Sequence, residues 1–232
     1  MERRLQGQID TPLNETGELQ AKAAGQALRS LRFDKAYSSD LKRAKNTCAF
    51  ILDANVKSSI TSKDINGKTN TILIFEELIL INSNLESPEV KERSFGVMEN
   101  KLVSEFQALA AEQNCKSWLN YVPEGAESPQ DVRIRARKFL KETLIQDVNL
   151  QIEGEKKPQI LVVSHGGLLR ELFGVIFEEF KCDLPPHCQP GDYKILAKNT
   201  SWSRFDLDVE DSKIQNLICT ELNNAKHLED IE

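Results

Sequence analysis

The sequence predicts an α/β protein, a three-layer α/β/α sandwich with a mostly parallel central sheet, and two observations predict it. Amphipathic helical stretches alternate with short apolar runs along most of the 232 residues, which is the order typical of βαβ units. Residues 159–164, Gln-Ile-Leu-Val-Val-Ser, are apolar without alternation, as expected for a parallel strand buried on both faces. No linker or internal repeat interrupts the chain, so we expect one domain over residues 1–232.

The N-terminal part predicts two helices and one strand, with a further segment left open. Residues 14–31 carry Leu and Ala at a period near 3.6, with Asn14 as the N-cap. Residues 33–38 predict a short strand, after which Ser39 is expected to cap a second helix. Residues 71–78 are rich in β-forming side chains and fit either a strand or a helix.

The C-terminal part continues the alternation of helices and strands. Its pattern predicts helices over residues 101–121 and 128–145, the buried strand over 159–164, a helix that begins at Gly166 and Gly167, and closing strands over 201–209 and 215–222.

Composition excludes several classes of function. With 30 Lys and Arg against 36 Asp and Glu, the net charge is −6, which argues against sequence-independent nucleic-acid binding and requires a local basic pocket for any phosphorylated substrate. No apolar run approaches the ~20 residues of a membrane span, and the first eight residues are too polar for a signal peptide. The five cysteines include no C-x-x-C pair. We therefore expect a reducing, cytoplasmic setting.

Among the three histidines, His165 has the position of a functional residue. It lies where the buried strand ends and a helix begins, at the edge of an α/β sheet where ligands bind. The free N–H groups of the helix start favour a phosphate there. The alternative is a structural histidine at a strand end. His187 lies in a proline-rich loop and His227 in the polar tail, and we expect no role for either.

Arg43 is expected near His165, because it lies in the first turns of the helix that follows the strand over residues 33–38. If that strand is parallel to the one over 159–164, both side chains reach the same sheet edge, where a guanidinium can bind phosphate in bidentate fashion. The alternative, judged from its position alone, is that Arg43 lies on the solvated face of this helix. Glu92 lies in a stretch rich in charge, and nothing local marks it as an acid or base.

Five motifs, taken together and in order, resemble those of the histidine phosphatase superfamily over residues 6 to about 170. They are Q-G-x-x-D-x-P-L-[ST]-x-x-G at residues 6–17, S-S-D-L-x-R-A-x-x-T at 38–47, E-R-x-[FY]-G-x-x-E at 91–99, P-x-G-E-S in shifted form at 123–128, and V-S-H-G at 162–167. The sequence is most similar to the TIGAR-type fructose-2,6-bisphosphatase subgroup, and the Lys-Cys-x-Leu-Pro stretch at 181–185 adds to that likeness.

The resemblance implies a phosphoglycerate-mutase-like fold and a phosphatase of phosphorylated sugars, with fructose-2,6-bisphosphate as the expected substrate. It implies that Arg43 binds the transferring phosphoryl group and that His165 donates hydrogen bonds to its oxygens. It also implies that Glu92 protonates the leaving alkoxide and then activates water. The substrate-binding residues implied in addition are Gln6, Gly7, Arg93 and Gly166. No metal and no cofactor are implied.

One motif of the family is absent from the 232 residues. The family opens with a central strand that ends in Arg-His-Gly, whose histidine becomes phosphorylated, whereas only Met-Glu-Arg-Arg-Leu precedes Gln6 here. Two interpretations follow: an N-terminally shortened phosphatase or gene model, which we favour, or a non-catalytic relative, with retained phosphosugar binding as a variant of the second. A broad-specificity phosphomonoesterase and a phosphoglycerate mutase are the alternative activities within the family.

Without that first core strand, the chain is expected to be poorly stable. Loss of a central strand removes about 8–15 kcal/mol of apolar burial, which is comparable to the ~5–15 kcal/mol by which a whole domain is stable. We also expect the two neighbouring strands either to have unpaired ladder groups or to close the gap and distort the pocket.

Overall fold

A computed structural model of the chain describes residues 3–31, 33–57, 70–76, 84–150, 158–229 and 231. Within these residues six strands form one sheet in the order β3-β1-β4-β2-β5-β6. The strands are β1 Lys35–Ser38, β2 Asn70–Glu76, β3 Asn84–Glu86, β4 Gln159–Ser164, β5 Trp202–Glu210 and β6 Lys213–Asn224. The helices are α1 Glu15–Ala27, α2 Lys42–Lys57, α3 Val103–Glu112, α4 Pro129–Lys138, α5 Ile145–Leu150 and α6 Gly166–Gly174.

The central strand β4 separates two helical layers, because its side chains alternate between them. Ile160 and Val162 point into the larger core, to which α4, α5 and α6 contribute, while Leu161 and Val163 join the smaller core with α1 and α2. Residues 160–163 are fully buried, which explains their apolar run without alternation. The predicted three-layer α/β/α architecture is thereby confirmed.

Strand β2 occupies the centre of the sheet, between β4 and β5. It runs parallel to β4, with Ile72 opposite Ile160 and Glu76 opposite Ser164, and antiparallel to β5, with Phe75 opposite Trp202. For residues 71–76 the strand alternative is therefore confirmed, and residues 77 and 78 lie outside the described part of the chain. We expected two strands of the sheet either to have unpaired N–H and C=O groups or to close the gap between them. This expectation is wrong for β4 and β5, because β2 lies between these two strands and pairs with both.

The residues before Gln6 that the structure describes lie away from this sheet. Arg4 forms an isolated bridge with Leu102, and the Leu5 N–H donates to the Lys101 carbonyl at 2.9 Å. The Leu5 side chain is buried in a small separate core with Phe95 and Phe106, where it helps to anchor the first residues to the segment before α3.

Two predictions about helix starts have different outcomes. Asn14 caps α1, since its side chain accepts the Gly17 N–H at 2.8 Å, as predicted. The prediction for Ser39 holds in part: its hydroxyl accepts the Leu41 N–H at 3.3 Å, one residue before α2 begins at Lys42, whose own N–H donates to the Asp10 carboxylate at 2.6 Å. This hydrogen bond from the Lys42 backbone lowers the pKa of Asp10. The first N–H of α2 is thus capped by a residue distant in sequence, which no local pattern could indicate.

Two further helix predictions need their boundaries corrected. The helix predicted over 101–121 ends at Glu112, since Asn114 has a φ of 55°, and a short 3-10 turn follows at Trp118–Asn120. The helix predicted over 128–145 is longer, because α4 continues through a π-helical segment at Phe139–Leu144 into α5. The two closing strands are confirmed as β5 and β6. None of the helices within the described residues has the length and apolarity needed to cross a membrane.

An ion-pair network ties α4 to the π-helical segment Val175–Glu179 that follows α6. Arg133 contacts Glu178 at 2.6 Å and Glu179 at 3.0 Å, and Arg137 and Lys194 contact Glu179 and Glu178 at 2.7 and 2.8 Å. The hydrogen bond from Lys194 is the largest cause that lowers the pKa of Glu178 to about 2. The hydrogen bond from Arg137 does the same for Glu179, also to about 2.

We expect this network to make the protein sensitive to acid. Since both carboxylates have folded-state pKa values below the ordinary 4.5, their stabilisation is complete above pH 4.5 and is lost as the pH falls toward 2. Solvent screens these partly exposed pairs, so each contributes at most about 1 kcal/mol. Urea unfolding of the wild type and of Glu178→Gln/Glu179→Gln between pH 2 and 7 measures the effect. If the free energy of unfolding depended on pH in the double variant as it does in the wild type, this prediction would be wrong.

The central place of β2 predicts slow amide exchange. Backbone N–H groups of residues 71–75 should exchange as slowly as those of β4, because both strands are paired on both sides within the sheet. Leu73→Pro should lower the free energy of unfolding by about 3 kcal/mol or more, since it removes a donor from a central strand. Leu196→Pro is the matched control. Leu196 lies in an exposed loop, and the preceding residue has the extended backbone that a proline tolerates, so this substitution should have little effect on the free energy of unfolding. Rapid exchange over 71–75 would show that β2 is not a core strand.

Candidate functional site at the carboxyl edge of the sheet

The carboxyl ends of β1 and β4 meet at one edge of the sheet. Ser38 pairs with Val163, and the Ser39 N–H donates to the Val163 carbonyl at 3.1 Å. Helix α2 follows β1 and α6 follows β4, so the starts of both helices lie at this edge. His165 is fully buried at the N-cap position of α6, and Arg43, in the first turn of α2, is 2% exposed.

Arg43 is oriented by the loop that precedes α1. Its two terminal nitrogens donate to the Ile9 carbonyl at 2.8 Å and to the Gly7 carbonyl at 2.7 Å. Gly7 is buried and has a φ of 53°, a conformation that favours glycine. The loop therefore helps to fix the orientation of the guanidinium.

Glu92 contacts the start of α6 directly beside His165. One carboxylate oxygen accepts the Gly167 N–H at 3.2 Å and the other accepts the Arg93 N–H at 2.6 Å. A Cβ on Gly167 would lie 2.5 Å from the Glu92 carboxylate, so this approach requires glycine there. The structure thus brings Glu92 to the helix start next to His165.

Gln8 connects the Gly7–Ile9 loop to Glu92. Its side-chain amide donates to the Glu92 carbonyl at 2.9 Å and to the Glu127 carboxylate at 3.4 Å. Because Arg43 is held by Gly7 and Ile9 on either side of Gln8, hydrogen bonds link the surroundings of Arg43 to those of Glu92. Arg43, Glu92 and His165 therefore share one edge of the sheet.

A partly buried ion pair supports the Glu92 backbone. Arg135 donates to both oxygens of Glu127, at 2.8 and 2.9 Å, and to the Glu92 carbonyl at 3.1 Å. Burial raises the pKa of Glu127, but the hydrogen bonds from Arg135 and from the Ser94 N–H outweigh it and lower the pKa overall. This carboxylate remains charged and holds the segment around Glu92 in place.

Arg93, which the resemblance implies as a substrate-binding residue, is held by backbone carbonyls. It is 4% exposed, and its three nitrogens donate to the carbonyls of Glu127, Leu119 and Tyr121 at 2.8, 2.6 and 2.6 Å. Desolvation by burial lowers its pKa, opposed by the charge of Glu92. Arg93 is a structural residue that joins three backbone segments, because a buried guanidinium must have its donors satisfied.

The remaining sequence-predicted residues lie around this edge. The Gln6 side chain is exposed, whereas Gly166 opens α6 and lines a small cleft with Arg170, Ser201 and Asn223 among others. His227 stacks on Trp202 and shares a hydrogen bond of 2.8 Å with Thr200, which gives it a packing role. Among the described residues no cluster of three or more His, Cys, Asp or Glu side chains is arranged to hold a metal.

Three residues that hold the site together have no role that the sequence alone indicates: Glu99, Glu127 and Arg135. Glu99 and Glu127 lie within two of the recognised motifs, and that position was the available signal. Arg135 lies on the amphipathic helix α4, and its sequence context does not distinguish it from a solvated arginine.

Comparison with known proteins gives a family match over most of the chain. The sequence pattern of the Histidine phosphatase superfamily (branch 1) matches residues 1–66 and 79–220. Fructose-2,6-bisphosphatase TIGAR of Mus musculus is 30% identical over 267 residues, covering 98% of this chain and 90% of the relative. A broad-specificity phosphatase of Saccharomyces cerevisiae is 29% identical over 231 residues, covering 98% of this chain and 81% of the relative.

Solved structures show the same fold. A mycobacterial glucosyl-3-phosphoglycerate phosphatase superposes with a TM-score of 0.67 at 22% identity, covering 95% of this chain and 91% of that one. A phosphoglycerate mutase from Bacillus anthracis superposes with a TM-score of 0.66 at 18% identity, covering 98% and 88% of the two chains. With the sequence pattern matched over far more than half of its residues, this chain belongs to the histidine phosphatase superfamily.

Proposed function

We propose that the edge that holds Arg43, Glu92 and His165 serves the hydrolysis of phosphorylated sugars, with fructose-2,6-bisphosphate as the substrate, in a form of the protein that carries the nucleophilic histidine of the family. The convergence of these three residues is the observation that carries the proposal. Two TIGAR relatives, from Mus musculus and Danio rerio, are each 30% identical over 98% of this chain, and they support the choice of substrate. The five cysteines are all unpaired, which fits a reducing, cytoplasmic setting.

Each residue has a role set by its chemistry. Arg43 has a guanidinium held by two backbone carbonyls and is the group to bind the phosphoryl oxygens. His165, at the start of α6, donates to the same oxygens as charge develops. Glu92 supplies a proton to the leaving alkoxide. Gly166 and Gly7 line the substrate side, and Gln6, with its exposed side chain, contacts the sugar.

The covalent step requires a nucleophilic histidine, and the 232 residues contain no Arg-His-Gly. The central position beside β4 is taken by β2, and the family pattern does not match residues 67–78, which include β2. At the carboxyl edge, β2 ends in Glu76, next to Ser164 and one residue from His165. We infer that the chain with β2 in this position binds phosphate esters without efficient turnover.

Two other functions have support from particular observations. A broad-specificity phosphomonoesterase is favoured by the 29% identical yeast relative, whose description names no single substrate. A non-catalytic phosphosugar-binding protein is favoured by β2 itself, because β2 occupies the central position beside β4 and no Arg-His-Gly is present in the 232 residues.

The expected activity can be tested with strand replacement. We expect the 232-residue chain to hydrolyse fructose-2,6-bisphosphate on the order of 10⁶-fold more slowly than a version that lacks residues 67–78 and carries an N-terminal apolar strand ending in Arg-His-Gly. Glu92→Gln in that version should abolish turnover, and Glu105→Gln, exposed on α3, is its control. Release of inorganic phosphate is the measurement. Full activity of the unaltered chain, with a trapped phosphoenzyme, would identify another nucleophile.

The contact between Glu92 and Gly167 gives a second prediction. In the version with the replaced strand, Gly167→Ala should slow the hydrolysis of fructose-2,6-bisphosphate by about tenfold, because its Cβ would lie 2.5 Å from the Glu92 carboxylate and displace this proton donor from the start of α6. Gly191→Ala, with no atom within 4 Å of the added Cβ, is the control for the chemical change alone, although its positive φ adds local strain. Release of inorganic phosphate measures both. An equal rate in Gly167→Ala and in the parent version would remove Glu92 from the site.

A further inference from the structure

We propose that Glu99 is a positioning residue for Arg43, acting through the Gly7–Ile9 loop, and this inference rests on the proposed phosphate-binding function. Glu99 lies in the segment before α3, whereas Arg43 lies on α2. The loop is the element that contacts both. The contacts of the loop with Glu99 and with Arg43 are the steps by which the Glu99 carboxylate orients the Arg43 guanidinium.

In the first step, the Glu99 carboxylate binds the loop through hydrogen bonds. One oxygen of its carboxylate accepts the Gln8 N–H at 2.9 Å, the Phe95 N–H at 3.2 Å and the Ser94 hydroxyl at 3.5 Å. The half-buried carboxylate thus joins the loop to its own segment by charge-assisted hydrogen bonds, which are stronger than neutral ones.

The second step is the packing of Gly7 against the Glu99 side chain. A Cβ on Gly7 would lie 2.3 Å from the Glu99 carboxylate oxygen and 2.7 Å from its carboxyl carbon. Gly7 also has a φ of 53°, so its backbone is fixed in a conformation that turns the chain sharply. Glu99 therefore sets both the position and the direction of the Gly7–Gln8 peptide.

The third step passes from the loop to Arg43. The carbonyls of Gly7 and Ile9, on either side of the residue that Glu99 holds, accept from the two terminal nitrogens of Arg43 at 2.7 and 2.8 Å. The loop thereby contributes to the orientation of the guanidinium plane. If the Gln8 N–H loses its acceptor, the backbone between the two carbonyls is held less tightly, and so is Arg43.

The experiment is a double-mutant cycle on the full 232-residue chain, with inorganic phosphate as the probe. Glu99→Ala should weaken phosphate binding by about tenfold, while Glu99→Gln, whose amide oxygen still accepts, should stay within about threefold of the wild type. In the Arg43→Met background, Glu99→Ala should cause no further loss. Glu105→Ala, an exposed glutamate of α3, is the matched control and should leave affinity unchanged.

A second measurement follows the hydrogen exchange of the Arg43 side chain directly and needs no ligand. The Nε–H signal of Arg43 in NMR, assigned by its disappearance in Arg43→Lys, should show slow exchange in the wild type and in Glu99→Gln. In Glu99→Ala its exchange should be measurably faster. If Glu99→Ala does not fold, Glu99→Asp takes its place, because its carboxylate is withdrawn by about 1.5 Å and cannot reach the Gln8 N–H.

The outcomes separate this inference from the proposed function. A loss of phosphate affinity that is as large in the Arg43→Met background as in the wild type would overturn the positioning role, as would an unchanged Arg43 signal in Glu99→Ala. If the wild-type chain binds no phosphate, the proposed function fails, and the Arg43 signal alone decides whether Glu99 positions it.

Discussion

The pairing of β4 on both sides is the constraint on which the rest of the structure depends. A strand buried between two helical layers cannot leave its N–H and C=O groups unpaired, because no water reaches them. β1 satisfies one side and β2 the other, along six residues of β2. The pairing with β1 and β2 fixes the position of the last residue of β4. It thereby fixes the position of His165 and the direction in which α6 begins.

The central position beside β4 is occupied by a segment outside the family pattern. That pattern matches the residues on both sides of 67–78 and does not match these twelve, which include β2. β2 nevertheless pairs with β4 on one side and with β5 on the other. The family architecture is therefore completed here by residues that the family pattern does not describe.

The site is held by backbone contacts of charged side chains more than by contacts between side chains. Arg43 and Arg93 donate to carbonyls, and Glu92 and Glu99 accept from backbone N–H groups. Loops at a sheet edge leave many backbone groups without partners in regular structure, and charged side chains satisfy several of them at once. The same contacts that stabilise the loops thus orient the groups proposed to bind phosphate.

The sequence by itself determined the layers, the N-cap at Asn14, the burial of β4 and the identity of the motif residues, because these depend on local periodicity and on residues adjacent in the chain. Only the tertiary structure decided that residues 70–76 complete the sheet, that Asp10 caps α2, and that Arg93 serves backbone carbonyls. Each of these depends on a partner far away in sequence. Hydrogen-bond acceptors brought together by folding leave no periodic pattern in the sequence.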